Sequence, residues 1–253
     1  MHKTSIISSK SKIDSSVSIG PFCIIEDNVL INKNCNIHSH VIIKSGTIIG
    51  ENCEIFSGVI LGERPQDLKY NGEKTNLEIG NNNIIREYAT IHRGTANRIT
   101  TKIGNNCMLM AYSHIAHDSI IKNNVILSNS VQVGGHVDID DNVIVGGATP
   151  IHQFCKLGKY SFIGGGYRVV QDVPPYIKAM GEPLKYSGIN SVGLSRNNFS
   201  SNQASLIKKA YKILYRSEYN ISQAVSILEK EYSDNNDINE IINFINKSER
   251  GII

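Results

Sequence analysis

The chain has 253 residues, a formal net charge of +3 and 40% hydrophobic residues, with few aromatics and no Trp. That charge is too weak to argue for a nucleic-acid partner, and no apolar run approaches the ~18 residues of a membrane span. The first ten residues hold no apolar stretch of signal length, so a soluble cytoplasmic protein with five reduced Cys is expected, without stable membrane insertion.

In chain order the first feature is a repeat. Stepping by six from Ile7 to Val169 visits 28 positions, of which 25 are Ile, Leu or Val. Period six fits neither a lone helix nor a simple strand, but it fits a short strand plus a turn, repeated. Gly often follows the aliphatic, as at Gly20, Gly50, Gly80 and Gly134, and Asn is dense in the same turns. Both residue types tolerate the positive φ that a sharp corner demands. Three such faces make a triangular coil of 18 residues. The aliphatics point inward, and each coil stacks on the last at ~4.8 Å. The five Cys all fall four residues after a repeat aliphatic, in a slot otherwise filled by Val. They are read as core packing, which leaves no metal cluster and no Cys nucleophile.

The three misses, Asp67, Glu73 and Asn97, fall in two polar segments near 62–76 and 93–102. Such segments bulge from a corner, where loops on a rigid scaffold often carry function. The first is the stronger functional candidate, and the second reads more readily as a tolerated surface loop. The repeat ends near Tyr176, giving a β-helix over 1–176 and a connecting segment with a helical domain over 177–253. Within the tail, Ala204, Ile207, Tyr211, Leu214 and Tyr215 make one helical stripe, and Ile221, Ala224, Val225 and Leu228 a second. Asp237 and Glu240 look like a capping box opening a third. Lys208, Lys209, Lys212 and Arg216 are either a solvated face, slightly favoured, or a landing patch for an acidic carrier protein.

Between Ile103 and Val169 the frame is unbroken, so residues 18 apart stack in columns. His117, Gly135 and Gln153 form one. Asp118 and His136 form the next, and Ala116, Gly134 and His152 flank them. Three His, an Asp and a Gln thus gather at one corner, although a solenoid core needs none of them. An imidazole there can take a proton from a hydroxyl, and the bare Gly135 N–H can approach an oxyanion closely. With no exposed Cys and no nucleophilic Ser motif, direct transfer is favoured over a covalent intermediate.

Gln66-Asp-Leu-Lys-Tyr70, Thr90-Ile-His-Arg-Gly-Thr95, His114-Ile-Ala-His-Asp118, Ile151-His-Gln-Phe154 and Gln171-Asp-Val-Pro-Pro-Tyr176 resemble the UDP-N-acetylglucosamine O-acyltransferases of lipid A biosynthesis. The resemblance covers nearly the whole chain. It implies a left-handed parallel β-helix, a homotrimer with sites between neighbouring prisms, and a 3-hydroxyacyl donor on acyl carrier protein. No cofactor and no metal is implied. Residue by residue, His117 is implied as general base, Asp118 as its support and the Gly135 N–H as oxyanion donor. Asp67 is implied to contact the sugar of UDP-N-acetylglucosamine. Lys69, His114 and His136 are implied to bind sugar, phosphate or the acyl-pantetheine arm. His152, Gln153, Asn190 and Arg196 are implied to hold the nucleotide end, and Gly165 to gauge acyl length. The chain departs from the family at Asn197, where a second basic residue is common, and at Val192, where an acidic one is. Acylation of a 3-amino sugar nucleotide and a coenzyme A-dependent sugar acetyltransferase remain alternatives. A trimeric zinc anhydrase on the same repeat is disfavoured, because its paired His lie five apart and His114 and His117 lie three apart.

Overall fold

The computed structural model describes all residues 1–253. Strands of two to four residues alternate with tight corners along three parallel sheets. Sheet A runs in eight strands from Ile6–Ile7 to Pro150–Ile151, and sheet B in eight from Lys12–Ile13 to Lys156–Leu157. Sheet C begins at Ser18–Ile19. Together they make the left-handed parallel β-helix. Every repeat aliphatic from Ile19 on that lies in a strand is buried, and the five Cys are free and buried in the same core.

Corner chemistry differs from the expectation in one respect. The left-handed residue is the third after the aliphatic, and Asn holds it at Asn28, Asn34, Asn52, Asn82, Asn106, Asn124 and Asn142, with φ of 55–60°. The glycines directly after the aliphatic, Gly62 excepted, have ordinary φ. They serve close approach instead: a Cβ on Gly80 would lie 2.6 Å from the Gly104 carbonyl oxygen of the next coil.

Both insertions leave from the corner that joins sheet A to sheet B. The first connects Ile60–Glu63 to Asn76–Ile79, and the second connects Thr90–His92 to Thr100–Ile103. Each adds whole hexapeptides, so the core columns resume in phase: Leu61 pairs with Ile91 and Ile91 with Ile115.

Sheet C continues past residue 176 through Ile177–Met180 and a final antiparallel strand, Lys185–Ile189. Four helices follow: α1 (Ser191–Arg196), α2 (Ser201–Arg216), α3 (Ile221–Glu231) and α4 (Asn236–Asn246). The stripes expected for α2 and α3 face their neighbours and the final strand. Capping boxes open α2 (Ser200 with Gln203) and α3 (Asn220 with Gln223). The box expected from Asp237 does not form. Asn235 caps α4, while the Asp237 carboxylate accepts from Tyr176 Oη at 3.2 Å and Gln203 Nε2 at 3.3 Å. Tyr211 Oη donates to the Pro175 carbonyl at 2.6 Å and anchors α2 on the last coil.

Candidate active site

The A-to-B corner carries Asp118, His136 and Phe154 at three successive left-handed positions, with φ of 60°, 60° and 66°. That backbone aims consecutive side chains into one column. His136 stacks on Phe154 with centroids 4.6 Å apart, and His117 meets His136 edge-on at 5.2 Å. His117 Nδ1 lies 2.8 Å from Asp118 Oδ2, and His136 Nε2 lies 3.6 Å from the same oxygen. The expected gathering of His117, Asp118, Gly135 and His136 is therefore present in the single chain.

Gly135 sits directly over the His117 ring. A Cβ built on it would lie 2.9 Å from both Cε1 and Nε2 of His117. Its absence leaves Nε2 open, while Nδ1 is occupied by the carboxylate. The Gly135 N–H donates to no protein acceptor, so a proton acceptor and a free amide donor face the same gap.

Asp118 is fully buried. Burial alone would raise its carboxyl, but Thr95 and His117 outweigh that by donating to it, and it lies below the usual carboxylate range. His136 is pulled down by burial, against an opposing pull from Asp118. His114, on the outer face of sheet A, bonds Thr90 Oγ1 through Nδ1 at 2.7 Å and is likewise lowered by burial.

Sequence reasoning missed three groups here. The second insertion, the weaker functional candidate of the two, cradles the carboxylate: Asp118 accepts from the Thr95 amide at 2.8 Å and hydroxyl at 2.6 Å. Arg98 reaches the Asp118 carbonyl at 3.0 Å. His92, given no role, is buried beside His114 with ring centroids 4.8 Å apart and with Nδ1 unpartnered. Burial, reinforced by the neighbouring His114, holds its imidazolium down at about 4.

Other expected residues lie further out. Asp67 and Lys69 are on the first insertion, where the Asp67 carboxylate accepts from the Lys69 amide at 2.9 Å and lies close enough to His136 to act on its charge. His152 and Gln153 are exposed one coil on, at the same corner. Asn190 caps α1 and donates to the Tyr160 carbonyl at 2.9 Å, which places it at the B-to-C corner, and Arg196 is exposed at the end of α1. Gly165 is exposed at the C-to-A corner, where a Cβ would lie 3.0 Å from the Gly147 carbonyl oxygen. One chain thus spreads these residues over three corners. The five best-formed concavities are not lined by His117 or His136.

His117, Asp118 and His136 bring potential metal-ligand atoms within 4.8 Å of one another. Asp118 Oδ2 already accepts from Thr95 and His117.

Comparison with known proteins agrees with this geometry. Residues 172–253 match the family model described as UDP N-acetylglucosamine O-acyltransferase, domain 2, and residues 100–135 match six bacterial transferase hexapeptide repeats. The acyl-[acyl-carrier-protein]–UDP-N-acetylglucosamine O-acyltransferase of Thermodesulfovibrio yellowstonii is 47% identical over all of this chain and 98% of its own. The chain belongs to the UDP-N-acetylglucosamine O-acyltransferase family. The crystal structure of the UDP-N-acetylglucosamine acyltransferase of Bacteroides fragilis superimposes with a TM-score of 0.98 at 44% identity, covering 100% of this chain and 99% of that one. The Acinetobacter baumannii structure gives 0.97 at 45%, covering 100% and 98%. The hexapeptide model covers His117 and Gly135, and the family-specific model covers Asn190 and Arg196. No helix of this acyltransferase is long and apolar enough to cross a membrane.

Proposed function

We propose that the protein transfers a 3-hydroxyacyl group from acyl carrier protein to the 3-hydroxyl of UDP-N-acetylglucosamine, the first step of lipid A biosynthesis, in the cytoplasm and without a cofactor. The observation that carries this reading is the pairing of an imidazole held through Nδ1 with an open Nε2 beneath a free backbone N–H.

His117 Nε2 takes the proton of the sugar hydroxyl as its oxygen attacks the thioester carbon. The Gly135 N–H stabilises the oxyanion of the tetrahedral intermediate. Collapse breaks the C–S bond, and the pantetheine sulfur leaves with the proton that His117 returns. Asp118 holds the imidazole and stabilises its cationic form. Asp67 contacts the sugar. Lys69, His114 and His136 bind sugar, phosphate or the pantetheine arm, and His152, Gln153, Asn190 and Arg196 hold the nucleotide. Gly165 lies beside Gly147 on a strip without side chains, where the acyl chain runs.

The dispersal of these residues over three corners supports a homotrimer with sites between prisms. The test is purified protein with UDP-N-acetylglucosamine and a panel of 3-hydroxyacyl carrier thioesters, read by mass spectrometry. An O-acylated nucleotide sugar is expected, and no product from any donor sinks the assignment.

A further inference from the structure

We propose that Thr95 and Arg98, on the second insertion, are positioning residues for acyl transfer, acting on His117 through Asp118. The proposal rests on the reading of His117 as base. Asp118 follows His117 directly in sequence, so without other restraints its carboxylate can rotate away from Nδ1. The insertion removes that freedom. Oδ1 accepts from the Thr95 amide at 2.8 Å and from the Arg98 amide at 3.3 Å. Oδ2 accepts from the Thr95 hydroxyl at 2.6 Å, which leaves it aimed at His117 Nδ1 at 2.8 Å. The Arg98 guanidinium then fixes the loop to two successive coils. It holds the Asp118 carbonyl at 3.0 Å and forks onto the Asp138 carboxylate at 2.5 and 3.2 Å. From the other side, the Thr101 hydroxyl accepts from the Asp118 amide at 2.8 Å.

The side chains of Thr95 and Arg98 do not set the winding of the prism, whose aliphatic columns run in register on both sides of them. Its polar groups converge on one buried carboxylate. Thr95→Val takes a donor from Oδ2, while the Thr95 and Arg98 amides still hold Oδ1 and keep the carboxylate beside His117 with its angle to the ring no longer fixed. More of the carboxylate's charge then falls on His117, which favours the imidazolium. The free base is then available only at higher pH.

The experiment measures kcat and KM against pH for wild type, Thr95→Val, Thr95→Ser and Arg98→Lys, with melting temperatures alongside. A 15N NMR titration of the His117 ring, assigned with His117→Gln, gives a readout that needs no turnover. Thr95→Val should lower kcat at least about tenfold, shift the acidic limb of the rate profile to higher pH and leave KM for the nucleotide sugar nearly unchanged. Thr95→Ser should restore all three. Arg98→Lys keeps the charge but cannot fork, and should lower kcat without changing KM. A Thr95→Val protein with the wild-type pH profile and an unmoved His117 titration overturns the proposal, as does activity lost only through melting or KM. If wild type makes no product, the proposed function fails, and the NMR comparison still decides whether Thr95 acts on His117.

Discussion

A methyl group at Gly135 would meet His117 at 2.9 Å from two ring atoms, so the ring must turn or the coils must part. Misplacement of a base on this scale costs about a hundredfold in rate. Gly135→Ala is therefore expected to lose kcat by about that factor while unfolding at a nearly unchanged temperature, and a kcat close to wild type argues against Nε2 as the working atom. Gly165 sets a different limit. A side chain there would project from the bare strip beside Gly147, so the native chain should prefer long acyl groups and Gly165→Met shorter ones. A donor series reads both, and a native preference for short donors refutes the first. His92 makes a stability prediction. Its folded imidazolium lies at about 4 against an ordinary value of 6.5, chiefly through burial. The unfolded chain therefore binds a proton in that window which the fold refuses, and stability falls as pH drops from 6.5 towards 4. His114 and His136, also lowered, act in the same direction. Urea midpoints measured near neutrality and again inside that window register the fall, and His92→Gln should make it smaller. An equal fall in that variant shows that other groups carry it. His117, Asp118, Gly135 and His136 were legible because an unbroken 18-residue step places them. His92 was not, because it lies across the second insertion. The signal was present: the frame resumes after one extra hexapeptide, so a 24-residue step from Ile91 to Ile115 sets His92 beneath Ala116.

At the scale of elements, the corners hold themselves together by side chains that replace missing backbone partners. At the B-to-C corner the Asn81 amide donates to Asn105 Oδ1 at 2.7 Å, the Asn105 amide to Asn123 Oδ1 at 2.9 Å, and the Asn123 amide to Asp141 Oδ1 at 2.8 Å. This ladder is why Asn is dense in the turns, beyond its tolerance of positive φ. Asn123→Ala strands the Asn105 amide and should cost roughly 1–2 kcal/mol, measured by chemical denaturation. A loss within error of zero shows that water replaces the side chain. The long helices were legible from their apolar stripes. Helix α1 was not, since it has six residues and buries only Leu194. The two strands that extend sheet C after residue 176 fall outside the hexapeptide frame and gave no periodic signal. The role of the second insertion was hidden for a similar reason: Thr95 and Arg98 matter through contacts 20 to 40 residues away, which no local pattern records.

For the whole molecule, the decisive geometry is the separation of His117 at one corner from Asn190 and Arg196 at another. A three-fold axis parallel to the prisms carries one chain's corner to its neighbour's at equal height, so such residues can meet only across an interface. Chains of 27.9 kDa should then sediment as a trimer, and each site should draw on two chains. That arrangement has a consequence no single-chain site can mimic. On the proposed trimer, His117→Ala and Arg196→Ala should each cripple every site in their own homotrimer. In a trimer that mixes the two variants, a site works when one chain supplies the intact His117 corner and its neighbour the intact Arg196 corner, which occurs at about one site in three. Co-expression with two affinity tags isolates the mixed trimers, and their activity should rise to about that fraction of wild type. If doubly tagged trimers are no more active than the weaker parents, His117 and Arg196 serve the same chain's site and the interfacial geometry is wrong.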